Sequence, residues 1–318
     1  MINRRQILIL IILIAACVCI PLVLDAENNY FVYYLFMAFT YTAMAQGFNI
    51  IAGYTGQVSL GQHAFFGMGA YMTVFAWEFA GLEYFNPLAM ILSGLVPAIL
   101  AILIGLPLLS KLRGDYFSLG TLGLGEILRV IFIQGRAVTG GSMGKYLPSG
   151  SYTSMLPYYF TALFLAILAT AIVYLIVRSR IGLALIAIRE DETAAAANGI
   201  HILWYKLFAF ATGAFITGFC GSLQAYYLFH IHPQNFFGLS WTLFPILMCV
   251  LGGSGTFTGP IIGALALTGV FELAKIWLPE IHPIISGTLI MVAILFLPDG
   301  LIRLTLKGIL HKNRISQI

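Results

Sequence analysis

Charged and histidine side chains are few in this chain, and their spacing limits the chemistry that they can do. Glu126 and Arg129 lie three residues apart inside an apolar run, so they share one face of a helix. Such a pair can act as a gate or proton relay, or it can be a satisfied ion pair whose arginine extends towards the membrane surface. Glu272 and Lys275 repeat this spacing. The structural interpretation is favoured for both pairs.

Catalysis needs a nucleophile, a base and an orienting group that come together, and no spacing in the chain indicates such a set. His230 and His232 have no carboxylate or thiol nearby in the sequence, which makes them poor evidence for a metal site. Glu190, Asp191 and Glu192 are consecutive, so they point in different directions around a helix. The cysteines, none of them in a CxxC pair, are Cys17, Cys19, Cys220 and Cys249. We therefore predict no enzyme activity and no cofactor in this chain.

The composition defines the environment of the protein. The chain has 318 residues, of which 60% are hydrophobic and only 9% are charged. A water-facing surface requires about 25% charged residues, so the chain is predicted to be an integral membrane protein. The net charge of +4 is not gathered into a basic patch with interleaved aromatic residues, and no nucleic-acid partner is expected. The surrounding partner is the lipid bilayer.

The apolar runs predict an all-α, polytopic bundle of about ten transmembrane helices that forms a single permease domain over residues 1–318. The runs are long enough for a hydrocarbon core of ~30 Å and lack the alternation of barrel strands. They lie near 7–24, 31–51, 64–80, 88–109, 117–133, 155–177, 204–229, 239–251, 261–278 and 284–297. The first run resembles a signal sequence, but we favour an uncleaved span because its removal would spoil the charge pattern of the loops.

Basic residues indicate the orientation of these spans. If the N-terminus is cytoplasmic, eleven of the sixteen Lys and Arg residues fall on the cytoplasmic side. They are Arg4, Arg5, Lys111, Arg113, Arg178, Arg180, Arg189, Arg303, Lys307, Lys312 and Arg314. Both termini, including a basic tail at 301–318, are then cytoplasmic. The predicted location is a bacterial-type plasma (inner) membrane.

A charged segment at 178–200, between the sixth and seventh spans, interrupts the apolar sequence. Six ionised side chains fall within fifteen residues, namely Arg178, Arg180, Arg189, Glu190, Asp191 and Glu192. Burial of these charges in lipid would cost on the order of 15 kcal/mol, so the segment is expected to lie in water on the cytoplasmic side. A helical surface of both charge signs is suited to contact with a second protein.

Two glycine-rich stretches, at 53–71 and 251–269, interrupt the apolar runs. Irregular backbone at membrane depth is tolerated only where protein or a wet cavity satisfies its polar groups. The glycines can serve close helix packing, or the stretches can line a transport pathway. Both are predicted to lie on the same side of the membrane. The residues predicted to line a pathway are Gly53, Gly56, Gln57, Ser59, Gly61, Gln62, Gly252, Gly253, Ser254 and Gly255.

Three sequence blocks resemble the permease subunits of branched-chain amino acid ABC transporters, in the LivM-like branch. The blocks are GYTGQVSLGQHAFFGMGAY, LRGDYFSLGTLGLGEILRVI and RSRIGLALIAIREDETAAAANGIHILWYKLFAF, the last followed by VLGGSGTFTGPIIGA. The resemblance extends from about Phe31 to Ile302. The Glu-Ala-Ala…Gly signature of such permeases is represented by Thr193-Ala194-Ala195 and Gly199, with Glu192 one place early.

This resemblance implies a function and a set of partners. It implies an importer of branched-chain amino acids in which this chain and a homologous second permease subunit each form half of the pathway. Two cytoplasmic ATP-binding subunits would bind ATP and Mg²⁺, and an extracytoplasmic solute-binding protein would deliver the solute. It also implies that the charged segment is the coupling loop, whose ATPase-coupling residues are Arg178, Arg180, Gly182, Arg189, Glu190, Asp191, Glu192 and Gly199.

Two alternatives remain open. A permease of the same family can carry urea or short amides, because scarce charge in the spans does not identify the solute. A secondary transporter would instead couple an ion gradient through Glu126, the one acidic residue well inside a predicted span. Uptake that requires a separate ATPase would distinguish the ABC transporter from the secondary transporter.

Overall fold

The computed structural model describes residues 15–21, 23–24, 29–147, 154–277 and 287–288, and most of these residues are helical. From Tyr30 onwards the helices are α1 (Tyr30–Phe48), α2 (Gln62–Glu78), α3 (Pro87–Lys111), α4 (Asp115–Gln134), α5 (Arg136–Thr139), α6 (Leu156–Arg178), α7 (Arg180–Glu190), α8 (Glu192–Ala197), α9 (Ile202–Leu228), α10 (Pro233–Phe236), α11 (Ser240–Gly252) and α12 (Gly259–Trp277). A π-helix, Asn49–Gly53, continues α1, and a 3-10 turn spans Gly141–Met143.

Within the described residues, seven helices are long and apolar enough to cross a membrane. They are Tyr30–Gly53, Pro87–Lys111, Asp115–Gln134, Leu156–Arg178, Ile202–Leu228, Pro233–Gly252 and Gly259–Trp277. The predicted span at 64–80 corresponds to α2, which has 17 residues and is about 25 Å long, slightly less than the hydrocarbon core. Half of the first predicted span and nearly all of the tenth lie outside the described residues. An α-helical membrane bundle is therefore observed, whereas the number ten stays a prediction.

Helix α9 lies at the centre of the bundle, where it packs against α1, α2 and α3. Its contacts with α2 and α3 depend on glycine, because the backbones touch. A Cβ atom at Gly221 would lie 2.0 Å from the carbonyl oxygen of Phe66, and one at Gly218 would lie 2.4 Å from that of Ser93. Small residues permit this approach in membrane helices, where close van der Waals packing takes the place of hydrophobic collapse.

A buried group of hydroxyls joins the same three helices. The hydroxyl oxygen of Thr73 on α2 lies 2.7 Å from that of Ser222 on α9 and 3.1 Å from that of Ser93 on α3. Buried hydroxyls must find partners within the protein, because lipid offers none. These polar residues therefore fix how α2, α3 and α9 face one another.

A short antiparallel ribbon lies at the end of the bundle where α2 ends and α9 ends. Strands β1 (Lys145–Tyr146) and β2 (His230–Ile231) pair there. The Lys145 ammonium forms an ion pair of 2.6 Å with Glu78 at the end of α2. The His230 imidazole is engaged in this ribbon, since its Nε2 lies 2.9 Å from the carbonyl oxygen of Met143.

Candidate functional site

The charged segment folds as two short helices at the end of the bundle opposite the ribbon. Helix α7 begins after Ser179, whose hydroxyl accepts a hydrogen bond of 3.1 Å from the Ile181 amide. Asp191 then leaves the helical conformation, with φ −158° and ψ 111°, and begins α8. Its carboxylate accepts hydrogen bonds from the amides of Thr193 (2.7 Å) and Ala194 (3.1 Å). Asp191 thus has a structural role that its place in an acidic triplet did not indicate.

Hydrogen bonds lower the pKa of the Asp191 carboxyl below its usual value. The largest cause is the hydroxyl of Thr193, followed by the backbone amides of Ala194 and Thr193. Each of these donors favours the ionised form.

Helix α8 ends in a turn that explains the glycine at 199. Gly199 has φ +80°, a left-handed conformation that other residues adopt at a cost. The amide of Ile200 bonds to the carbonyl of Ala195 (3.1 Å), and the amide of Gly199 bonds to that of Ala196 (2.9 Å). These two bonds form a Schellman cap. Gly199 therefore ends α8 and directs the chain into α9.

One face of the charged segment is buried against the bundle, a contact that the sequence did not predict. Within it, Gly182, Ala184, Leu185, Ile188 and Ala195 are buried against the bundle. Among the residues predicted to couple to the ATPase, Arg178, Arg180, Arg189, Glu190, Asp191 and Gly199 are exposed, Glu192 is half-buried and Gly182 is buried. The segment does lie between two spanning helices, Leu156–Arg178 and Ile202–Leu228. It therefore resembles an amphipathic surface element more than a free loop.

Arg189 connects the charged segment to the first glycine-rich stretch. Its Nη1 donates a hydrogen bond of 2.5 Å to the carbonyl oxygen of Gly53, the last residue of the π-helix. The same nitrogen lies beside Gly255, where a Cβ atom would come within 2.3 Å of it. A side chain at position 255 would therefore displace the guanidinium. π-Helical turns are rare and occur frequently at functional sites.

The two glycine-rich stretches meet at this point, where a Cβ atom at Gly53 would lie 2.6 Å from the amide nitrogen of Gly255. Asn49, in the π-helix, donates to the carbonyl of Thr256 (2.9 Å) and accepts from the amide of Gly255 (2.8 Å). One helical turn earlier, Gln46 donates to the carbonyl of Phe257 (3.0 Å). The side chains of α1 and its π-helix thus hold the loop between α11 and α12. We refer to Asn49, Gly53, Arg189, Gly255 and Thr256 as the Arg189 junction.

A buried cation makes a second connection between the charged segment and the first glycine-rich stretch. The Lys206 side chain on α9 is only 4% exposed and forms an ion pair with Glu192. Its ammonium lies 3.2 Å from Oε1 of Gln57. A buried charge is tolerated when it is paired and hydrogen-bonded in this way. Lys206 is a residue of this candidate site that was not predicted from the sequence. Its signal was its place as the one charged residue between Ile202 and Leu228.

The rest of the first stretch is bound to three other helices. Gln62 accepts a hydrogen bond of 2.9 Å from the Thr217 hydroxyl of α9. The backbone amide of His63 donates to the Thr242 hydroxyl of α11 (2.8 Å), and the Ser118 hydroxyl of α4 donates to the carbonyl of Val58 (2.8 Å). This irregular chain is therefore held by side-chain hydrogen bonds.

Most residues predicted to line a pathway are packed against protein in this conformation. Gly53, Gln57, Ser59, Gly61, Gln62, Gly252 and Gly253 are buried, Ser254 and Gly255 are half-buried, and Gly56 is exposed. A Cβ atom at Gly61 would lie 2.5 Å from the carbonyl of Thr121, and one at Gly252 would lie 1.8 Å from that of Gly259. Close packing therefore accounts for these two glycines. Their place in a pathway stays a prediction.

No group of three or more His, Cys, Asp or Glu residues that could hold a metal ion occurs among the described residues. The ion pairs within that part of the chain are Glu78–Lys145, Glu126–Arg129, Glu192–Lys206 and Glu272–Lys275. The arrangement offers contacts between elements that could move, and it places no catalytic set of side chains together.

The bundle of long apolar helices, with irregular glycine-rich segments bound to an amphipathic surface element, defines a polytopic α-helical membrane protein. A family described as the permease component of branched-chain amino acid transport systems matches residues 30–295. The chain belongs to this permease family.

Three relatives carry this similarity. The chain is 30% identical to the high-affinity branched-chain amino acid transport system permease protein LivM of Salmonella typhimurium over 301 residues, 85% of this chain and 69% of that protein. The LivM protein of Escherichia coli K12 is 29% identical over 86% of this chain and 70% of its own length. A probable LivM protein of Methanocaldococcus jannaschii is 28% identical over 68% of this chain and 67% of its own length. No solved structure matches the chain.

Proposed function

We propose that this chain is a transmembrane permease subunit of an ABC importer, and that it forms half of the translocation pathway for branched-chain amino acids. Membership of the permease family and the similarity to the LivM proteins support the function and the solute. The other half is a homologous permease subunit, and a solute-binding protein delivers the amino acid from outside. Two cytoplasmic ATPase subunits bind ATP and Mg²⁺. The chain itself contributes no chemistry and no cofactor.

The proposed location is a bacterial-type inner membrane with cytoplasmic termini. It is supported by the concentration of basic residues in alternate loops, including Lys111, Arg113, Arg178 and Arg180. The contacts are consistent with this alternation, because the two glycine-rich stretches and the charged segment meet at one end of the bundle. The ATPase subunits would dock at that end.

The hydrogen bond from Arg189 to Gly53 is the single observation that best supports the coupling role. An ATPase can bias two conformations only through contacts that differ between them. The exposed residues of α7 and α8 offer a docking surface, and Arg189 and Lys206 connect that surface to the glycine-rich stretches. Displacement of α7 would therefore act directly on the π-helix and on the loop between α11 and α12. We assign the coupling role to the segment from Arg178 to Gly199 on this basis.

Replacement of Arg189 by alanine tests this role in the complete transporter, reconstituted in vesicles with its ATPase subunits and binding protein. We expect assembly and ATP hydrolysis to continue while uptake of leucine falls by about tenfold or more, because ATP-driven movement no longer reaches the junction. Arg113→Ala is the matched control, since Arg113 is exposed at the same end of the bundle. Full uptake by the Arg189 variant would contradict the coupling role.

The solute is tested separately. We expect the cognate solute-binding protein to bind leucine, isoleucine or valine in calorimetry, and to ignore urea and acetamide. Binding of urea or a short amide would replace the proposed solute while leaving the transporter class intact. Uptake by the purified chain without ATPase subunits would instead contradict the ABC importer.

A further inference from the structure

Helix α4 is the least buried of the seven spanning helices. Its buried residues, Phe117, Thr121 and Gly125, form one narrow stripe at intervals of four. Leu128 and Phe132 also pack against the core, and the remaining surface of α4 points away from the described bundle. In the membrane they must meet lipid, another subunit or water.

The exposed surfaces of α3 and α4 are both largely apolar, since α4 exposes Leu119, Ile127 and Ile131, but only α4 carries an ion pair within its apolar surface. The strongly exposed hydrophobic residues of α3 are Leu88, Ile91, Leu95, Ile99, Ile102, Leu103 and Leu106, an apolar surface suited to lipid. Helix α4 carries Glu126 and Arg129, whose side chains are 42% and 37% exposed and form an ion pair of 2.8 Å. Close to them lies Gly123, which has open space around the position of a Cβ atom.

The position of this pair well inside α4 argues against lipid as its surroundings. Glu126 is eleven residues from Asp115 and eight from Gln134, so about 16 Å and 12 Å of helix separate it from the two ends of α4. A glutamate side chain is too short to reach the surface from there. Ionised side chains at that depth face the interior of a bundle or a water-filled cavity.

The pair also retains capacity for another ligand. Nη2 of Arg129 holds Glu126, yet the Arg129 side chain is 37% exposed, so a ligand can approach the guanidinium from its open side. The Glu126 side chain is 42% exposed and is open to a ligand in the same way. A positive and a negative group thus lie side by side. Each can give up part of its contact with the other and bind a ligand group of opposite charge instead.

We propose that Glu126 and Arg129 line the translocation pathway and contact the ammonium and carboxylate groups of the passing zwitterionic amino acid. A solute with adjacent opposite charges can insert between the two side chains, with its ammonium at Glu126 and its carboxylate at Arg129. Because the side chains satisfy each other when the solute is absent, the contact is weak and readily reversed, as passage requires. This inference rests on the proposed function and identifies a solute contact outside the glycine-rich stretches.

The backbone of α4 is placed against the first glycine-rich stretch at the same level. A Cβ atom at Gly125 would lie 2.0 Å from Nε2 of His63, so the imidazole packs directly on α4 beside Glu126. His63 is itself fixed to Thr242 through Nδ1 at 2.9 Å. Movement of the first glycine-rich stretch would therefore shift α4 and, with it, the Glu126–Arg129 pair.

Solute contact is tested in the complete reconstituted transporter with the variants Glu126→Gln and Arg129→Gln. We expect each to lower ATP-dependent leucine uptake by about tenfold, the effect of one lost charge-assisted hydrogen bond on the transport barrier. ATP hydrolysis and copurification of the subunits should be unchanged. Lys145→Gln is the matched control, because Lys145 also belongs to an ion pair whose two side chains are both partly exposed. We expect its uptake to equal that of the unmodified transporter.

Exposure to water is tested by thiol labelling in a background without the native cysteines. We expect Gly123→Cys to react with a charged, membrane-impermeant thiol reagent in the assembled transporter, and Leu95→Cys on the apolar face of α3 to remain unlabelled. Labelling of Gly123→Cys should slow when leucine is being transported.

Three other outcomes would contradict either the solute contact or the proposed function. Unchanged uptake by both glutamine variants, or no labelling of Gly123→Cys, overturns the solute contact while ATP-dependent uptake by the unmodified transporter upholds the proposed function. Loss of subunit copurification in the glutamine variants identifies the pair as an intersubunit contact and also overturns the inference. Failure of the unmodified transporter to take up leucine with ATP contradicts the proposed function itself.

Discussion

The guanidinium of Arg189 lies 2.5 Å from the carbonyl oxygen of Gly53, although the two residues are 136 positions apart in the chain. This bond joins the charged segment to the end of a π-helix, and Gly255 packs against the same guanidinium. One side chain thus contacts both glycine-rich stretches.

Gly255→Ala is expected to disrupt the junction. Gly255 has φ +74°, and the new Cβ atom would lie 2.3 Å from Nη1 of Arg189. Backbone strain of about 1–2 kcal/mol adds to the displacement of the guanidinium. We expect leucine uptake by the reconstituted transporter to fall by about tenfold or more. Gly81→Ala is the matched control, since Gly81 has φ +62° and nothing within 4 Å of a Cβ atom. An equal loss of uptake in both variants would show that backbone strain alone is responsible.

The ion pair between Lys206 and Glu192 predicts an asymmetry between its two partners. Glu192→Gln leaves the Lys206 ammonium without its counter-charge, and the Lys206 side chain is only 4% exposed. Lys206→Met leaves the Glu192 carboxylate without its counter-charge, but that side chain is 29% exposed and can be hydrated. We expect the free energy of unfolding to fall by about 3 kcal/mol in the first variant and by about 1 kcal/mol in the second. Thermal unfolding of the purified protein measures both. If Lys206→Met lowered the free energy of unfolding more than Glu192→Gln does, burial of the unpaired Lys206 ammonium would not be the main cause of the loss.

Asp191 predicts a pH dependence for the start of α8. The pKa of its carboxyl is lowered in the folded state, so its stabilising effect is complete above the usual aspartate pKa and is lost as the pH falls through the lowered value. We expect the amides of Thr193 and Ala194 to stay equally protected from hydrogen exchange between about pH 5 and 7. Asp191→Ala should speed their exchange at neutral pH, while Asp191→Asn should preserve protection because asparagine also caps helices. Equal exchange in the alanine variant and the unmodified protein would contradict the cap.

The contact between α2 and α9 predicts a steric effect at Gly221. An alanine Cβ atom would lie 2.0 Å from the carbonyl of Phe66, and neither backbone can move without shifting a helix. We expect Gly221→Ala to lower the free energy of unfolding by about 2–3 kcal/mol, as overpacking does. Gly123→Ala serves as the control, because no atom lies within 4 Å of its Cβ position. Stability of the control should be unchanged or slightly raised, and a similar loss in both variants would exclude overpacking as the cause.

The spanning helices were predictable because a helix that crosses the hydrocarbon core needs a long run of apolar residues. Seven predicted spans correspond to the seven spanning helices, with bounds that differ by a few residues at most ends, since an apolar run of sufficient length has few other solutions. The sequence also predicted both glycine-rich stretches on the same side, and the structure shows that they meet, since a Cβ atom at Gly53 would lie 2.6 Å from the amide nitrogen of Gly255. The capping roles of Asp191 and Gly199 depend on local backbone conformation, which their charge and family signature did not reveal.

The candidate site was less predictable because its contacts are distant in sequence. The coupling role of Arg189 stays a prediction, and its bond to Gly53, 136 positions away, could not be read from the sequence. Nothing in the spacing of Lys206 and Gln57 indicates that they meet across 149 positions. The buried face of α7 was also missed, because its charged residues dominate the composition while its apolar residues determine its position. Periodicity predicts which face is apolar, but pairing between distant segments comes only from tertiary structure.

The π-helix at Asn49–Gly53 restrains the number of residues in this turn as well as their types. A π-turn holds one residue more than an α-turn, so everything after it is rotated by about 100° relative to a regular helix. Deletion of one residue between Asn49 and Gly53 would remove that offset and turn the Gly53 carbonyl away from Arg189. A conservative substitution there changes one side chain, whereas a deletion misaligns the whole connection to α2. Insertions and deletions in this turn should therefore be more damaging than substitutions.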